Sequence, residues 1–475
     1  MAFGINGSEE RMVPVAIPKD KLSKEKKQME EKKPYNLLSI PVVKKFIQSK
    51  WYPGIFQWIV LAVFSVIVYE LVAGTVDPTR NVGTSLTWVL WWPLIPIFFL
   101  VIGRFWCTIC PFGKVSDIIR KTIGSNRPMP KFLRKYGLWM IDFFFIAITY
   151  SDHIWGIVES PRGSGYLLLL LVTMVVGTSI FYERRTFCKT LCFLGGLSGN
   201  YSRSGSLELR GTPDICKTCK TQSCFKGSEK AEGCPMFQFV RTMETAADCN
   251  LCGNCVKNCP NNSIRISPRV PTSELWGIKK PMLEHTFLAA VIMGIVFVQN
   301  ITMVTIWQDI LNAIGTVTGT DNYNVNFTVA FIIAMAIPVG LLYGTAKLAT
   351  LTGGSVEKVK KNFVRFGYAI IPLDLAGHLA HNLFHIITEG KAIWYNSAVL
   401  FGMNVKRGDL AFAPASSVQL LQYIIIVIGM IGSIYTAYRI GNKGSFKALA
   451  PYYVLMVLLA VANIYLFSLP MMHRV

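Results

Sequence analysis

Nine runs of about 20 mostly apolar residues dictate what this chain can become: roughly 54–74, 84–103, 137–155, 166–182, 283–305, 325–345, 367–388, 418–438 and 447–468. Inside a bilayer each backbone N–H and C=O must be satisfied within its own segment, so runs of this length are read as helices. With 52% hydrophobic and 16% charged residues among 475, the chain is too apolar for a water-soluble fold. The expected fold class is an all-α polytopic membrane bundle of about nine transmembrane helices.

Sidedness follows from where Lys and Arg collect. The N-terminal arm, the 104–135 loop (Arg104, Lys114, Arg120, Lys121, Lys131, Arg134, Lys135), the 182–282 segment, the 347–365 loop (Lys347, Lys358, Lys360, Lys361, Arg365) and the 439–447 turn are basic, whereas the alternate loops are nearly free of both. Nine crossings with the N-terminus inside satisfy every loop, which places the chain in the cytoplasmic (inner) membrane of a prokaryote. The formal net charge of +21 sits beside apolar spans, where insertion rules and anionic headgroups account for it, so nucleic acid is excluded as a partner. No apolar signal region precedes the first span, and residues 1–53 are expected as a cytoplasmic basic arm. Its last part, "NLLSIPVVKKFIQSKWYPG", is read either as lying along the inner membrane surface or as a solvated linker.

The remaining divisions are a four-helix membrane half at 54–182, a polar insertion at 183–282, and a five-helix membrane half at 283–475. The insertion contains "CKTCKTQSCFKGSEKAEGCP" and "CNLCGNCVKNCP". The second is the C-x2-C-x2-C-x3-C-P run of bacterial ferredoxins, in which three close thiolates hold one [4Fe-4S] cluster and the fourth crosses to the other. On that rule Cys249, Cys252 and Cys255 take Cys234, while Cys216, Cys219 and Cys224 take Cys259. The insertion is therefore expected to be a small α+β, ferredoxin-like domain with two [4Fe-4S] clusters. Zinc and disulfides are the rival readings; the proline after each fourth cysteine and the reducing side of the membrane favour iron–sulfur.

Two further cysteine pairs stand where helices leave the membrane: "GRFWCTICPFGKVSD" after the second span and "RRTFCKTLCFLGGLSG" after the fourth. Both read Arg-x-x-Cys, two or three residues, Cys, then an aromatic, a Gly and a Ser, as an internal repeat would. Cys107, Cys110, Cys188 and Cys192 are thus expected to converge on a third [4Fe-4S] cluster at the membrane edge, with Arg104, Arg184 and Arg185 offsetting thiolate charge. A redox-active dithiol and simple packing are the other readings.

The two edge motifs together with a two-cluster insertion resemble the membrane-bound polyferredoxin family of the NapH/NosR type, over roughly residues 50–270. Family members usually read C-x3-C-P at the edge; this chain has C-x2-C-P and C-x3-C-F. The resemblance implies electron movement between the quinone pool and redox partners, or supply of electrons to the maturation of a reductase.

The seventh run reads "IPLDLAGHLAHNLFHIITEG". Asp374, His378, His381 and His385 fall at i, i+4, i+7 and i+11, within about 60° of one another on a helix. Ionisable groups at this depth mark a cavity, a ligand site or a proton path. A quinone site would use a histidine to exchange protons with a ring oxygen, the others relaying them. A mononuclear metal could use His381 and His385. A haem b would need a facing histidine, for which His153 is the apparent partner of His385; helix packing is the plain alternative. The sequence thus reads as an oxidoreductase subunit carrying electrons between a quinone site and a redox protein or larger complex. An accessory or regulatory iron–sulfur membrane protein, serving maturation or sensing of a partner reductase, is the rival.

Overall fold

A computed structural model describes residues 35–352, 358–441 and 446–470. Most of the expected basic arm, 1–34, lies outside the described residues, as do 353–357, 442–445 and 471–475.

The principal helices are α1 (Gly54–Ala73), α2 (Val82–Val101), α3 (Pro111–Thr122), α4 (Lys131–Trp155), α5 (Pro161–Phe181), α6 (Phe193–Ser202), α7 (Leu283–Ile301), α8 (Tyr323–Leu351), α9 (Ile371–Thr388), α10 (Ala415–Ile440) and α11 (Phe446–Ser468). Among the described residues seven of them, α1, α2, α5, α7, α8, α10 and α11, are long and apolar enough to cross a membrane. Seven of the nine expected spans therefore meet this measure. The other two, 137–155 and 367–388, do form helices, α4 and α9, but polar groups dilute them: Asp142, Asp152 and His153 in one, Asp374 and three histidines in the other. Both still run from one end of the bundle to the other. Tyr368 and Arg365 before α9 bond to Met282 and Ile440, while Ile387 near its far end accepts from Phe412.

The polar helix α9 is tolerated because it is interior: Ile371 through His378 are all buried. Small residues let its neighbours approach. A Cβ on Gly429 of α10 would collide with Ala376, and one on Gly294 of α7 would come 2.8 Å from the Ala334 carbonyl oxygen of α8. Lipid-facing helices are the converse case, with Trp58, Val63 and Tyr69 of α1 exposed.

In the insertion, β1 (Leu207–Gly211) pairs antiparallel with β4 (Ile264–Pro268), Leu209 opposite Ile266, and β2 (Gly227–Ser228) with β3 (Ala231–Glu232) makes a small hairpin. Short helices Pro213–Thr218, Ser223–Lys226 and Asn254–Asn258 carry cysteines between the strands. The stretch 36–54 does not behave as a solvated linker. Its helix Pro41–Gln48 lends Ile47, with Leu38 and Tyr52, to the core of the insertion around Leu209, Val240 and Ile266. Tyr52 donates to the Leu251 carbonyl at 2.6 Å, and Asn36 accepts from the Ile266 N–H at 3.1 Å. The reason is local: the lysines leave one apolar face, and a domain this small lacks apolar cover of its own.

Candidate functional site

The twelve cysteines are all free thiols, and the fold gathers them into three groups. Cys216, Cys219, Cys224 and Cys259 surround one pocket, walled by Phe239, Arg241 and Ser263. Cys234, Cys249, Cys252 and Cys255 surround a second, walled by Leu209, Val240 and Met243. Each pairing of three near cysteines with a distant fourth follows the spacing rule, including the long gaps in the first run. Ser263 touches both Cys216 and Cys259 sulfurs at 3.4 Å, and the N–H groups of Ser263 and Gln238 point at Cys259 and Cys234 at 3.3 Å. Arg241 donates to the carbonyls of Cys216 and Cys219, both at 2.6 Å.

The edge cysteines form the third group. Burial and then the nearby Cys107 and Cys188 push the Cys110 thiol up to about 12, and burial, with Cys188, Cys110 and Cys107 beside it, holds Cys192 well above the ordinary thiol range. Burial likewise raises Cys249 to about 12. Thiols in this condition lose their protons readily only to a cationic centre, which is what a donor set for a metal cluster requires. Among the described residues no group of three or more His, Cys, Asp or Glu is placed to hold a metal ion directly.

The two edge motifs are tied reciprocally. Arg104 of the first donates to the carbonyl of Cys188 (3.4 Å), and Arg185 of the second to that of Cys107 (2.8 Å). The glycines follow the same exchange. A Cβ on Gly113 would meet the Arg185 guanidinium at 3.2 Å, and one on Gly195 would meet Arg104 at 3.2 Å and the Cys188 oxygen at 2.5 Å. Buried arginines need anionic or carbonyl partners on every donor. Arg185 has Asp117 at 2.7 Å; Arg104 has the Cys107 sulfur at 3.4 Å, the Ala247 carbonyl at 2.7 Å and Asp248 at 3.6 Å.

These contacts stitch the edge group to the second group. Thr108 donates to the Asn250 carbonyl, Arg184 to that of Cys234 at 3.1 Å, and the charge of Arg185 acts on both Cys188 and Cys252. The second group in turn adjoins the first, because Cys224 lies within the electrostatic reach of Cys255. The three groups stand in series from the insertion to the membrane.

The histidine row is enclosed. Asp374, His381 and His385 are 0% exposed and His378 is 1%. Tyr201 of α6 contacts His378 Nδ1 at 2.5 Å, Asn300 of α7 contacts His381 Nδ1 at 2.7 Å, and Glu389 contacts His385 Nδ1 at 3.0 Å. The rings of His381 and His385 are 5.0 Å apart. Neither oxygen of Asp374 has a hydrogen-bond partner among the described residues. His153 does not serve as the facing ligand of His385: its Nδ1 meets the Thr149 carbonyl (2.9 Å), its Nε2 meets Thr302 (3.3 Å), and it stacks on Phe327. Tyr201, Asn300 and Glu389 carry no motif in the sequence.

A family described as "4Fe-4S binding domain" matches residues 84–132 and 164–210, the two segments that hold the edge motifs. The chain is 25% identical over 268 residues to "Putative electron transport protein YccM" of Escherichia coli (strain K12), covering 51% of this chain and 71% of that one. It is 29% identical over 167 residues to "Methylamine utilization ferredoxin-type protein MauN" of Paracoccus denitrificans (strain Pd 1222), covering 30% of this chain and 58% of that one. No solved structure matches.

Proposed function

We propose that this chain, which carries two segments similar to a 4Fe-4S binding domain and is similar to ferredoxin-type electron transport proteins, passes electrons between a membrane quinol and a soluble or complex-bound redox partner. The observation that carries this reading is the serial arrangement of three cysteine groups. Cys107, Cys110, Cys188 and Cys192 would hold one [4Fe-4S] cluster, Cys234, Cys249, Cys252 and Cys255 a second, and Cys216, Cys219, Cys224 and Cys259 a third. When bound, such clusters each take up and release one electron at a time. Arg104 and Arg185 fix the edge thiolates and lend positive charge to both groups they join. The partner would dock on the insertion, beside the first group, at the end of the series away from the membrane.

The row Asp374, His378, His381 and His385 holds and passes protons. Tyr201 links His378 to α6, the helix that starts beside Cys192. Proton movement there compensates the charge of an electron arriving at the edge group. The membrane orientation is that read from the basic loops, with α4 and α9 completing nine crossings.

Anaerobically purified protein is expected to contain about twelve iron and twelve sulfide per chain and to be reduced by a quinol analogue. About eight of each, with Cys107 and Cys192 open to alkylation, would reduce the edge group to a dithiol. Loss of partner maturation in a deletion strain, with purified protein that no quinol reduces, would instead select the accessory role.

A further inference from the structure

A cavity of about 580 Å³ lies outside everything assigned so far, chiefly among α2, α4, α5 and α7, with Phe193 of α6 on its wall. That volume is in the range of small-molecule sites. Its inner wall is aromatic: Trp88, Trp92, Phe145 and Phe193. Trp92 lies 5.9 Å from Trp88 and 6.3 Å from Phe193, and Phe193 stacks on Phe145 at 5.7 Å. Trp88 is anchored by its indole N–H on Ser164 at 2.9 Å, and it sits in the π-helical turns Ser85–Trp91 that widen α2 here. Phe193 is the residue after Cys192, so the aromatic end of the cavity adjoins the edge group.

The other end is polar. His153 and Asp152 line it with Gln299, whose amide oxygen is buried and has no hydrogen-bond partner among the described residues. Phe145 and His153 are eight residues apart on α4, so the two ends are about 12 Å apart. Gln299 faces the cavity while the next residue, about 100° round the helix, is Asn300, which holds His381, so α7 stands between the cavity and the proton row. An unpaired buried acceptor above a flat aromatic slot suits a planar ring that carries a hydroxyl on its edge.

We infer that this cavity, rather than the histidine row, is where the quinol of the proposed function docks, its ring between the aromatic side chains and one hydroxyl donating to Gln299. The inference rests on that quinol reading. Oxidation of the quinol to the quinone breaks two O–H bonds and releases two electrons and two protons. The electrons pass singly past Phe193 to the edge group and on to the partner; the protons pass to His153 and leave by Asp152 and Glu159 at the mouth.

The test uses purified, cluster-loaded protein and an azido-quinone of short tail. Photolabelling should mark peptides containing Trp88–Trp92 and Gln299–Met303. Gln299→Leu, and Met303→Trp, which fills the space, should keep wild-type iron and dithionite reduction but lower labelling and slow quinol reduction by about tenfold or more. Label on α9 instead, or both variants labelled and reduced at the wild-type rate, would overturn the cavity while leaving the quinol reading in place. A wild-type protein that dithionite reduces but no quinol analogue reduces or labels would overturn the reading and the inference together.

Discussion

The cysteine end of the molecule and the histidine row are both polar constellations in an apolar chain, yet they are assembled in opposite ways. The cysteines come from five loop and short-helix segments, grouped by spacing within each run and pulled together by arginines that donate to distant carbonyls: Arg104 to Ala247, Arg184 to Cys234, Arg185 to Cys107. The histidines all come from one helix, and each finds its partner on another element or a turn further on. The first arrangement suits centres that must meet one another and a protein partner. The second suits groups shielded from water that hand protons along a fixed line. On this account electrons and protons use separate hardware, and variants can part them.

The widest separation is expected from Cys107→Ser with Cys192→Ser. About four iron per chain should be lost, quinol-driven reduction should fall to background, and dithionite should still reduce the remaining clusters. Full iron content with an intact quinol route in that variant would remove the edge group from the electron path. His378→Leu and Asp374→Asn should do the reverse: iron and the dithionite spectrum unchanged, quinol reduction slower by roughly 10² where proton movement limits the rate. Iron loss in either would show that the row supports the clusters structurally, and the distinction would fail.

A smaller effect tests the reciprocity of the edge motifs. Gly195→Ala drives a methyl into the Cys188 backbone oxygen, whereas Gly113→Ala meets the end of the Arg185 side chain, which can shift. The first should lower stability by about 1–3 kcal/mol and the second by less, read from the midpoint of thermal cluster loss. Equal effects would mean that the two halves are not packed as described.

The smallest effect concerns the thiols once iron is removed. The Thr221 hydroxyl and the Gln222 N–H hold Cys219 below the ordinary thiol range, while burial raises Cys110 and Cys249 to about 12. The thiolate is the reactive form, so at pH 8 iodoacetamide should modify Cys219 first. Cys110 and Cys249 should react only as the pH approaches their raised values. A uniform rate across the twelve would show that the cluster-free protein does not keep this fold.

How much of this was legible beforehand divides along the same line. Spacing alone paired Cys234 with the 249–255 run and Cys259 with the 216–224 run, because ligand rules are local and the loops only needed to close. Hydropathy found all seven helices that are long and apolar enough to cross a membrane, and also α4 and α9, which polar groups such as Asp142 and Asp374 keep below that measure. The stripe on α9 was visible as a period; Tyr201, Asn300 and Glu389 were not, because a hydrogen-bond partner on another helix leaves no pattern. His153 was noticed for the wrong neighbour. The aromatic cavity was invisible, as its walls come from four helices and each Trp or Phe is unremarkable in its own run.

The polar mouth of that cavity, at His153 and Glu159, lies at the end of the bundle opposite the cysteine groups. Charge leaving a carrier seated there for the edge thiolates covers part of the thickness of the bilayer. A full crossing is worth about 2.3 kcal/mol per elementary charge for each 100 mV, so even a partial crossing couples the current to membrane voltage. In sealed vesicles, one polarity would brake the delivery of electrons and the other would speed it, which makes the protein a small electrogenic element as well as a conductor.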